Sequence, residues 1–260
     1  MTTTTQHATG TFCWPELATT DQGGARSFYA GLFALKPREF PMGETATYTI
    51  LENAGRDALA LYSMHPGQRK LGLPPYWLSY VAVESADAAA KRALELGATA
   101  LIEPFDVMEL GRSAVLQDPL GATFALWEPR ANKGVGVLDE PGSLSWTELM
   151  TTNPVKARAF YSGLFGWTAE EMTMGPSVYT VYKNADRPTA GMMPITPEMG
   201  PVPPNWLPYF AVAATDAAVA KAIMAGGKVS VPPTTVPGVG RFAVLLDPQG
   251  AHFGVIGPAQ

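Results

Sequence analysis

The 260-residue sequence has one cysteine, three histidines and few charged residues. A single cysteine, Cys13, cannot form an intramolecular disulfide, which is typical of proteins in a reducing cytoplasm. Charged residues make up only 16% of the chain and the formal net charge is −5. Nucleic-acid binders usually show a basic face or stripe, and this mild net charge gives no reason to expect such a partner. We predict a cytoplasmic protein without a nucleic-acid partner.

The sequence also lacks long apolar runs. No stretch approaches the roughly 18 apolar residues that a membrane-spanning helix needs. Residues 1–10 show no basic start followed by an apolar run, so we predict no signal peptide and interpret them as a flexible tail. The hydrophobic fraction of 47% is enough for a substantial core. We therefore expect a folded protein without a membrane partner.

The clearest feature that the sequence does have is an internal repeat. The segment FCWPELATTDQGGARSFYAGLFAL corresponds to LSWTELMTTNPVKARAFYSGLFGW, and two later blocks recur in the same order. The matching blocks are 12–35 with 144–167, 74–98 with 203–227, and 111–124 with 240–253. The repeat predicts two domains, at 11–128 and 144–260, joined by a Pro/Gly/Asp-rich linker at 129–143.

Each copy consists of two similar modules. A short strand is followed by a polar break at Asp21 and then by a helix, whose apolar residues recur with helical spacing. These residues are Ala25, Phe28, Tyr29, Leu32 and Phe33. Strand-like runs and turns such as DPLG follow. We predict an α+β fold of four strand–helix–strand modules, with helices on one side of curved, mainly antiparallel sheets.

These features resemble the vicinal oxygen chelate superfamily of glyoxalases, bleomycin- and fosfomycin-resistance proteins and extradiol dioxygenases. The resemblance rests on the strand–Asp–helix–FY opening, with Asp21 and Phe28-Tyr29, and on the GR-x-AVL-x-DP-x-G ending in both copies. It covers about residues 11–257 and is closest to two-domain, WxEL-containing glyoxalase-like proteins of actinomycetes. It implies tandem domains of four βαβββ modules whose sheets enclose cavities, but this fold hosts many functions.

The resemblance also implies where metal ligands would lie. Metal-dependent relatives take ligands from the first strand of each module and from the last strand of the domain. The matching positions hold Trp14, Leu78 and Ala125 in the first copy and Trp146, Leu207 and Gly254 in the second. None of these side chains can coordinate a divalent ion. We therefore predict no metal site and no cofactor.

Strand parity predicts which side chains line the cavities instead. Residues i and i+2 share a face of a strand, so Glu16 accompanies Trp14. The same count adds Tyr80, Thr123 and Trp127 in the first copy and gives Trp146, Glu148, Tyr209 and His252 in the second. An aromatic lining with one carboxylate per domain suits a flat organic ligand, which we predict as the partner.

The two glutamates, Glu16 and Glu148, are the candidate catalytic residues. A carboxylate walled by indole can have a raised pKa and act as a general base, or it can accept a hydrogen bond from a ligand hydroxyl. The alternative is a structural glutamate that pairs with Arg26 or Arg158 or caps the backbone. His252 is a candidate acid–base partner of Glu148 and otherwise a surface histidine.

Two further pairs have open roles. Arg112 and Arg241 each precede a strand and could bind an anionic ligand group in bidentate fashion, or could be structural partners of a carboxylate. Trp14 and Trp146 are either stacking platforms or core residues that fill the space of a lost metal site.

These observations support three hypotheses. The leading one is a metal-independent protein that binds an aromatic or polycyclic small molecule, for sequestration or for natural-product metabolism. The second is a glyoxalase-like lyase or an oxygenase with an atypical metal site or a glutamate-based site. The third is a non-catalytic interaction protein whose cavities are closed by tryptophan. With four modules in one chain, a monomer is sufficient and a dimer stays open.

Overall fold

The computed structural model describes residues 6–43, 46–174 and 177–259. The elements of the first half are β1 Phe12–Thr19, α1 Gln22–Phe33, β2 Lys36–Met42, β3 Ala46–Asn53, β4 Arg56–Ser63, α2 Pro66–Lys70, β5 Tyr76–Ala82, α3 Ala86–Glu95, β6 Thr99–Val107, β7 Gly111–Gln117 and β8 Thr123–Pro129. Those of the second half are β9 Leu144–Thr151, α4 Pro154–Phe165, β10 Thr168–Met174, β11 Ser177–Asn184, β12 Arg187–Pro194, a 3-10 turn Pro197–Met199, β13 Asn205–Ala211, α5 Thr215–Met224, β14 Lys228–Val236, β15 Gly240–Leu246 and β16 His252–Gly257.

Each half forms one eight-stranded sheet from two βαβββ modules. The strand order is β2-β3-β4-β1-β5-β8-β7-β6 in the first sheet and β10-β11-β12-β9-β13-β16-β15-β14 in the second. The first strands of the two modules, β1 and β5, pair antiparallel at the centre, whereas β1–β4 and β5–β8 pair parallel. The α+β class, the four modules and the mainly antiparallel pairing are confirmed.

The sheets are open, and they do not close into barrels around a cavity as the resemblance implied. In the described residues the edge strands β2 and β6 pair only on one side, and so do β10 and β14. Two grooves lie beside residues 6–9. One is lined by the end of β5 and of β8, the other by the segment after β5, by α3 and by the end of α4, and neither involves Trp14 or Glu16. The predicted site is therefore a face of a sheet.

The helix pattern in the first module agrees with its sequence. Asp21 caps α1 by accepting a hydrogen bond from the Gly24 amide, because its carboxylate satisfies an amide that has no partner within the helix. The five residues of the predicted apolar stripe are the buried residues of α1. In the described part of the chain, no helix has the length and apolar character that crossing a membrane requires.

The sequence did not reveal β2 or α2. Every residue of β2 is exposed, because β2 is an edge strand that buries neither of its faces. Such a strand has no hydrophobic alternation for sequence analysis to detect. The five-residue α2 buries no residue either.

The two halves share their hydrophobic cores. Phe28 and Tyr29 of α1 pack against Phe253 of β16, with ring centroids 6.0 and 5.3 Å apart. In the corresponding contact of the other repeat copy, Phe124 of β8 packs against Tyr161 of α4, with ring centroids 5.7 Å apart. The first module thus packs on the fourth, and the second on the third.

The predicted linker and part of the predicted tail pack on the rest of the chain. Val135 and Val137 of the linker are buried, and the amide of Val135 donates to the carbonyl of Cys13. Residues 1–5 of the tail lie outside the described residues. His7 is buried with its Nε2 atom 2.9 Å from the Val135 carbonyl oxygen, and Gly10 accepts from the indole of Trp167. Residues 6–10 are therefore anchored.

Candidate functional site

The candidate site lies on the sheet face opposite the core helices. Leu17 of β1 points into the core with α1, so Trp14 and Glu16 stand on the other side. The register places Trp14 opposite Tyr80 of β5, and Glu16 opposite Ala60 of β4. We call this surface the Trp-Glu face of the N-terminal half. The surface of Trp146 and Glu148 is the Trp-Glu face of the C-terminal half.

A hydrogen-bond network holds the Glu16 carboxyl group in place. Tyr48 of β3 donates its hydroxyl to Oε1 at 2.5 Å, and Tyr80 donates to Oε2 at 2.8 Å. The indole Nε1 of Trp14 donates to the Tyr48 hydroxyl at 3.0 Å. Both carboxyl oxygens therefore have a phenol partner, and one of these phenols is positioned by the tryptophan.

The C-terminal half repeats this network. Trp146 donates from Nε1 to the hydroxyl of Tyr179 at 2.9 Å, and Tyr209 donates to Oε1 of Glu148 at 3.1 Å. The Tyr179 hydroxyl also hydrogen-bonds the Glu148 carboxyl group. The repeat therefore preserves a Trp–Tyr–Glu–Tyr arrangement.

Burial controls the charge of both glutamates. It raises the pKa of Glu16 and of Glu148, because a carboxylate loses its hydration there, and the tyrosine donors only partly offset this effect. The same burial, together with the nearby Glu16 charge, raises the pKa of Tyr48 and of Tyr80. The phenols are thus neutral donors, and the carboxyl groups hold protons at a higher pH than exposed glutamates do.

The structure rules out the arginine partners that the sequence suggested for the two glutamates. Arg26 forms an ion pair with Glu39, and Arg158 forms one with Glu171 at 2.7 Å. Glu16 is partnered by tyrosine rather than by arginine or the backbone. Its surroundings are consequently neutral and aromatic.

The two central tyrosines, Tyr48 and Tyr179, were not among the residues that the sequence predicted for the site. They lie on β3 and β11, more than 30 residues from the glutamates that they bind, and only strand pairing brings them together. A signal was available, because Y-T-I-L-E-N at 48–53 aligns with Y-T-V-Y-K-N at 179–184. Extending the repeat through these strands would have identified both.

The two tryptophans differ in accessibility. Trp14 is only 6% exposed, whereas Trp146 is half-buried. The structure thus leaves Trp14 little surface for stacking and gives it a positioning role through its bond to Tyr48. Trp127 joins the same cluster, with its ring centroid 6.3 Å from that of Tyr80.

Thr123 and His252 stand at the starts of β8 and β16. Their strand parity matches the Trp-Glu faces, since Ala125 pairs with Tyr80 and Gly254 pairs with Tyr209. His252 is exposed, and no hydrogen bond among the described residues joins it to Glu148. The dyad of His252 and Glu148 therefore has no geometric support, and the surface alternative describes His252 better.

Arg112 and Arg241 occupy the structural role that was the alternative to ligand binding. Arg112 binds Asp87 of α3 through two hydrogen bonds of 2.6 and 2.9 Å, and it also donates to Asp106. Arg241 binds Asp216 of α5 in the same way, at 2.6 and 2.8 Å. Because their guanidinium groups are committed to carboxylates on α3 and α5, the prediction that they bind ligand is not supported.

The positions that match metal ligands in the superfamily do not fit a metal. A Cβ atom built on Gly254 would lie 2.1 Å from the ring of Tyr209, so this ring fills the space that a carboxylate side chain would need. In the N-terminal half the matching residue is Ala125, which is buried and has no donor atom. Within the described ranges, no three His, Cys, Asp or Glu residues are grouped as metal ligands would be. The polar groups present on the two faces are carboxyl and phenol groups, which favour a site that works by hydrogen bonding.

The raised pKa of Glu16 makes a prediction about stability. Because folding raises this pKa, the folded state binds the proton more tightly than the unfolded chain, and stability falls as the pH rises above the unfolded value of 4.5. Replacing Glu16 by glutamine removes the pH-dependent contribution of this carboxyl group to stability. We expect urea unfolding between pH 4 and 8 to show that Glu16→Gln gains stability relative to the wild type as the pH increases. A pH-independent difference would contradict the assignment.

Comparison with known sequences gives consistent results. Residues 143–255 match the family model of the Glyoxalase/Bleomycin resistance protein/Dioxygenase superfamily. The chain is 39% identical over 256 residues to a protein of Mycobacterium tuberculosis named "Putative glyoxylase CFP32", covering 98% of this chain and 97% of that protein. It is 34% identical to the anthracycline biosynthesis protein DnrV of Streptomyces peucetius, covering 97% and 94% of the two chains.

Solved structures show the same fold at low sequence identity. The Mn(II)-bound glyoxalase from Novosphingobium aromaticivorans superposes with a TM-score of 0.65 at 14% identity, covering 95% of this chain and 82% of that one. The 2,2',3-trihydroxybiphenyl 1,2-dioxygenase from Sphingomonas wittichii superposes with a TM-score of 0.67 at 11% identity, covering 97% and 92%. These similarities establish the tandem fold.

Proposed function

Because the chain belongs to the glyoxalase/bleomycin resistance protein/dioxygenase superfamily, we propose that it binds an aromatic or polycyclic small molecule on a Trp-Glu face without a divalent metal. Its role is then sequestration of that molecule or a step in natural-product metabolism in the cytoplasm. A single chain provides the complete network of each face, so the proposal needs only a monomer.

The observation that carries this proposal is the Trp–Tyr–Glu–Tyr network in the place of metal ligands. The phenol rings of Tyr48 and Tyr80 are half-buried, so part of each remains available to a ligand above the sheet. Aromatic rings offer stacking area, and the Glu16 carboxyl group between them fixes orientation by hydrogen bonding. A flat ligand with a polar edge matches both properties.

The similarity to an anthracycline biosynthesis protein supports the same ligand class. That relative is similar over nearly the whole chain, and an anthracycline is a polycyclic aromatic compound. The predicted interaction protein with closed cavities is less favoured, because Tyr48 and Tyr80 keep exposed surface.

An acid–base enzyme is the second candidate. A buried glutamic acid between two phenols can exchange a proton with a ligand when its pKa lies nearer to neutrality than usual. In that case Glu16 takes a proton from a carbon or oxygen acid of the ligand and returns it elsewhere. Turnover of the bound ligand, followed by mass spectrometry, distinguishes this role from binding alone.

We expect the purified protein to bind a dihydroxyanthraquinone, a flat aromatic probe with polar edges, with saturable quenching of tryptophan fluorescence. The affinity should be the same before and after dialysis against a chelator, since no side chain at the matched positions coordinates a metal. Elemental analysis of the same sample measures bound metal. A stoichiometric metal whose removal abolishes binding would refute the metal-independent proposal.

A further inference from the structure

Resting on the proposed function, we infer that only the N-terminal Trp-Glu face is a ligand site, and that its ligand is an aromatic molecule carrying several hydroxyl or carbonyl oxygens. The C-terminal face keeps the same network but serves as packing. The two networks are nearly identical, so the distinction comes from the residues around them.

The first observation is an unpartnered buried hydroxyl on the N-terminal face. Ser113 of β7 is 1% exposed, and its Oγ has no hydrogen-bond partner among the described residues. It pairs directly with Trp127 across the strands, which places both side chains on the Trp-Glu face. An unsatisfied buried hydroxyl destabilises the fold, so native structures rarely keep one without a partner. A ligand oxygen beside Trp127 would satisfy it.

The matching position in the C-terminal half has no such group. Phe242 takes the place of Ser113, and its ring packs against Tyr209 with centroids 6.1 Å apart. The C-terminal face is an apolar cluster around these rings, which comprises Trp146, Leu207, Tyr209, Val231, Phe242, Val244 and Ile256. This face satisfies itself by packing.

Two other buried hydroxyls without partners, those of Ser79 and Thr147, do not compete with this interpretation. Ser79 lies opposite Pro15, and Thr147 lies opposite Pro208, on the sheet faces that pack against the helices. They lie away from both Trp-Glu faces. Among the described residues, Ser113 is thus the unpartnered buried hydroxyl that lies on a Trp-Glu face.

The second observation is an additional pair of phenols beside Glu16. Tyr62 of β4 and Tyr76 of β5 both accept hydrogen bonds from the side-chain amide of Gln68, at 3.1 and 2.8 Å. Both are half-buried, and burial, together with the nearby charge of Glu16, raises the pKa of Tyr62. Gln68 belongs to α2, the short helix of the N-terminal half.

The C-terminal half lacks this pair. Met193 of β12 and Asn205 of β13 occupy the positions that match Tyr62 and Tyr76. Methionine supplies adaptable apolar surface but only a weak acceptor. The N-terminal face therefore adds the hydroxyls of Tyr62, Tyr76 and Ser113 to a network that is otherwise duplicated. Several hydroxyl groups around one aromatic surface match a ligand with several oxygen substituents.

Matched variants in the two halves test the inference. Calorimetric titration of the full chain with a dihydroxyanthraquinone should give one binding site per chain. Ser113→Ala and Tyr48→Phe should each weaken binding, the second by about tenfold, the ratio that one hydrogen bond's contribution gives. The C-terminal counterpart Tyr179→Phe, which the inference excludes from binding, should leave the dissociation constant within about twofold. Circular dichroism confirms that each variant is folded.

The possible outcomes separate the inference from the proposed function. Two equivalent sites per chain, or equal weakening by Tyr48→Phe and Tyr179→Phe, would overturn the inference while binding itself persists. Weakening by Tyr179→Phe alone would also overturn it. A wild-type protein that binds neither the dihydroxyanthraquinone nor its unsubstituted parent would refute the proposed function as well. Equal affinity for the substituted and the unsubstituted probe would refute only the oxygen-rich ligand class.

Discussion

Replacing Asp118 by alanine is expected to lower the free energy of unfolding by about 3–5 kcal/mol, because it breaks a buried hydrogen-bond network. The Asp118 carboxylate is buried and accepts three hydrogen bonds. The donors are the amides of Leu120 and Ala122, at 2.8 and 2.9 Å, and the hydroxyl of Tyr161 on α4, at 2.9 Å. Alanine leaves all three donors unsatisfied at the contact between the two halves.

Urea unfolding measures this loss. Tyr161→Phe should cost less, about 1–3 kcal/mol, because it removes only the bond that joins the halves and the acceptor of the Trp206 indole. Glu103→Ala is the control, since Glu103 is exposed on an edge strand and should change stability by less than about 0.5 kcal/mol. If Asp118→Ala behaved like this control, Asp118 would be a turn residue without a role in joining the halves.

The repeat supplies a second copy of this tyrosine–aspartate hydrogen bond between the halves. Tyr29 of α1 donates to Asp247 at 3.0 Å, and the Trp77 indole donates to the Tyr29 hydroxyl at 3.3 Å. The FY and DP-x-G signatures thus meet across the halves, helix α1 with the turn before β16 and helix α4 with the turn before β8. We infer that both halves unfold together, because neither core is complete alone.

Replacing Gly254 by alanine is expected to destabilise the protein by about 3 kcal/mol, which is the upper part of the range for overpacking a core. The new Cβ would lie within 2.1–2.5 Å of three ring atoms of Tyr209. Tyr209 is 5% exposed and hydrogen-bonded to Glu148, so its ring cannot move away without breaking that network.

The N-terminal half provides the matched control for this substitution. Its equivalent residue is Ala125, which pairs with Tyr80 in the same register and already carries a Cβ atom. Ala125→Gly should cost only about 0.5–1 kcal/mol, the usual penalty for glycine within a strand. Thermal and urea unfolding of both variants check the comparison. A Gly254→Ala protein as stable as the wild type would show that Tyr209 is not tightly held.

The sequence predicted those features that depend on local periodicity. The repeat and its modules follow from matching the sequence of one half to that of the other. The buried stripe of α1 and the face shared by Trp14 and Glu16 follow from spacings of two to four residues along the chain. The lack of metal-coordinating side chains at Trp14, Ala125 and Gly254 likewise follows from residue type. Edge strand β2 was missed, because an element that buries nothing leaves no periodic pattern.

The partners of the glutamates were decided by the tertiary structure. The alternation of side chains along β1 placed Glu16 on the Trp-Glu face. It did not indicate whether the carboxyl group pairs with Arg26 or with a tyrosine on another strand. That choice depends on the register of β3 with β4 and of β4 with β1, which brings Tyr48 to Glu16. Arg112 and Arg241 were resolved in the same way, by carboxylates on helices 25 residues earlier in the chain.

The repeat itself was determined by the sequence, whereas the joining of its copies was decided by the tertiary structure. Local patterns state that each copy has an FY helix and a DP-x-G turn, and they suggest two separate domains. The two FY helices bury their apolar stripes in cores to which both halves contribute, where Tyr29 meets Asp247 and Tyr161 meets Asp118. The physical reason is that burial and hydrogen bonding select partners by proximity in space, and hydrophobic periodicity reports only that a face needs one.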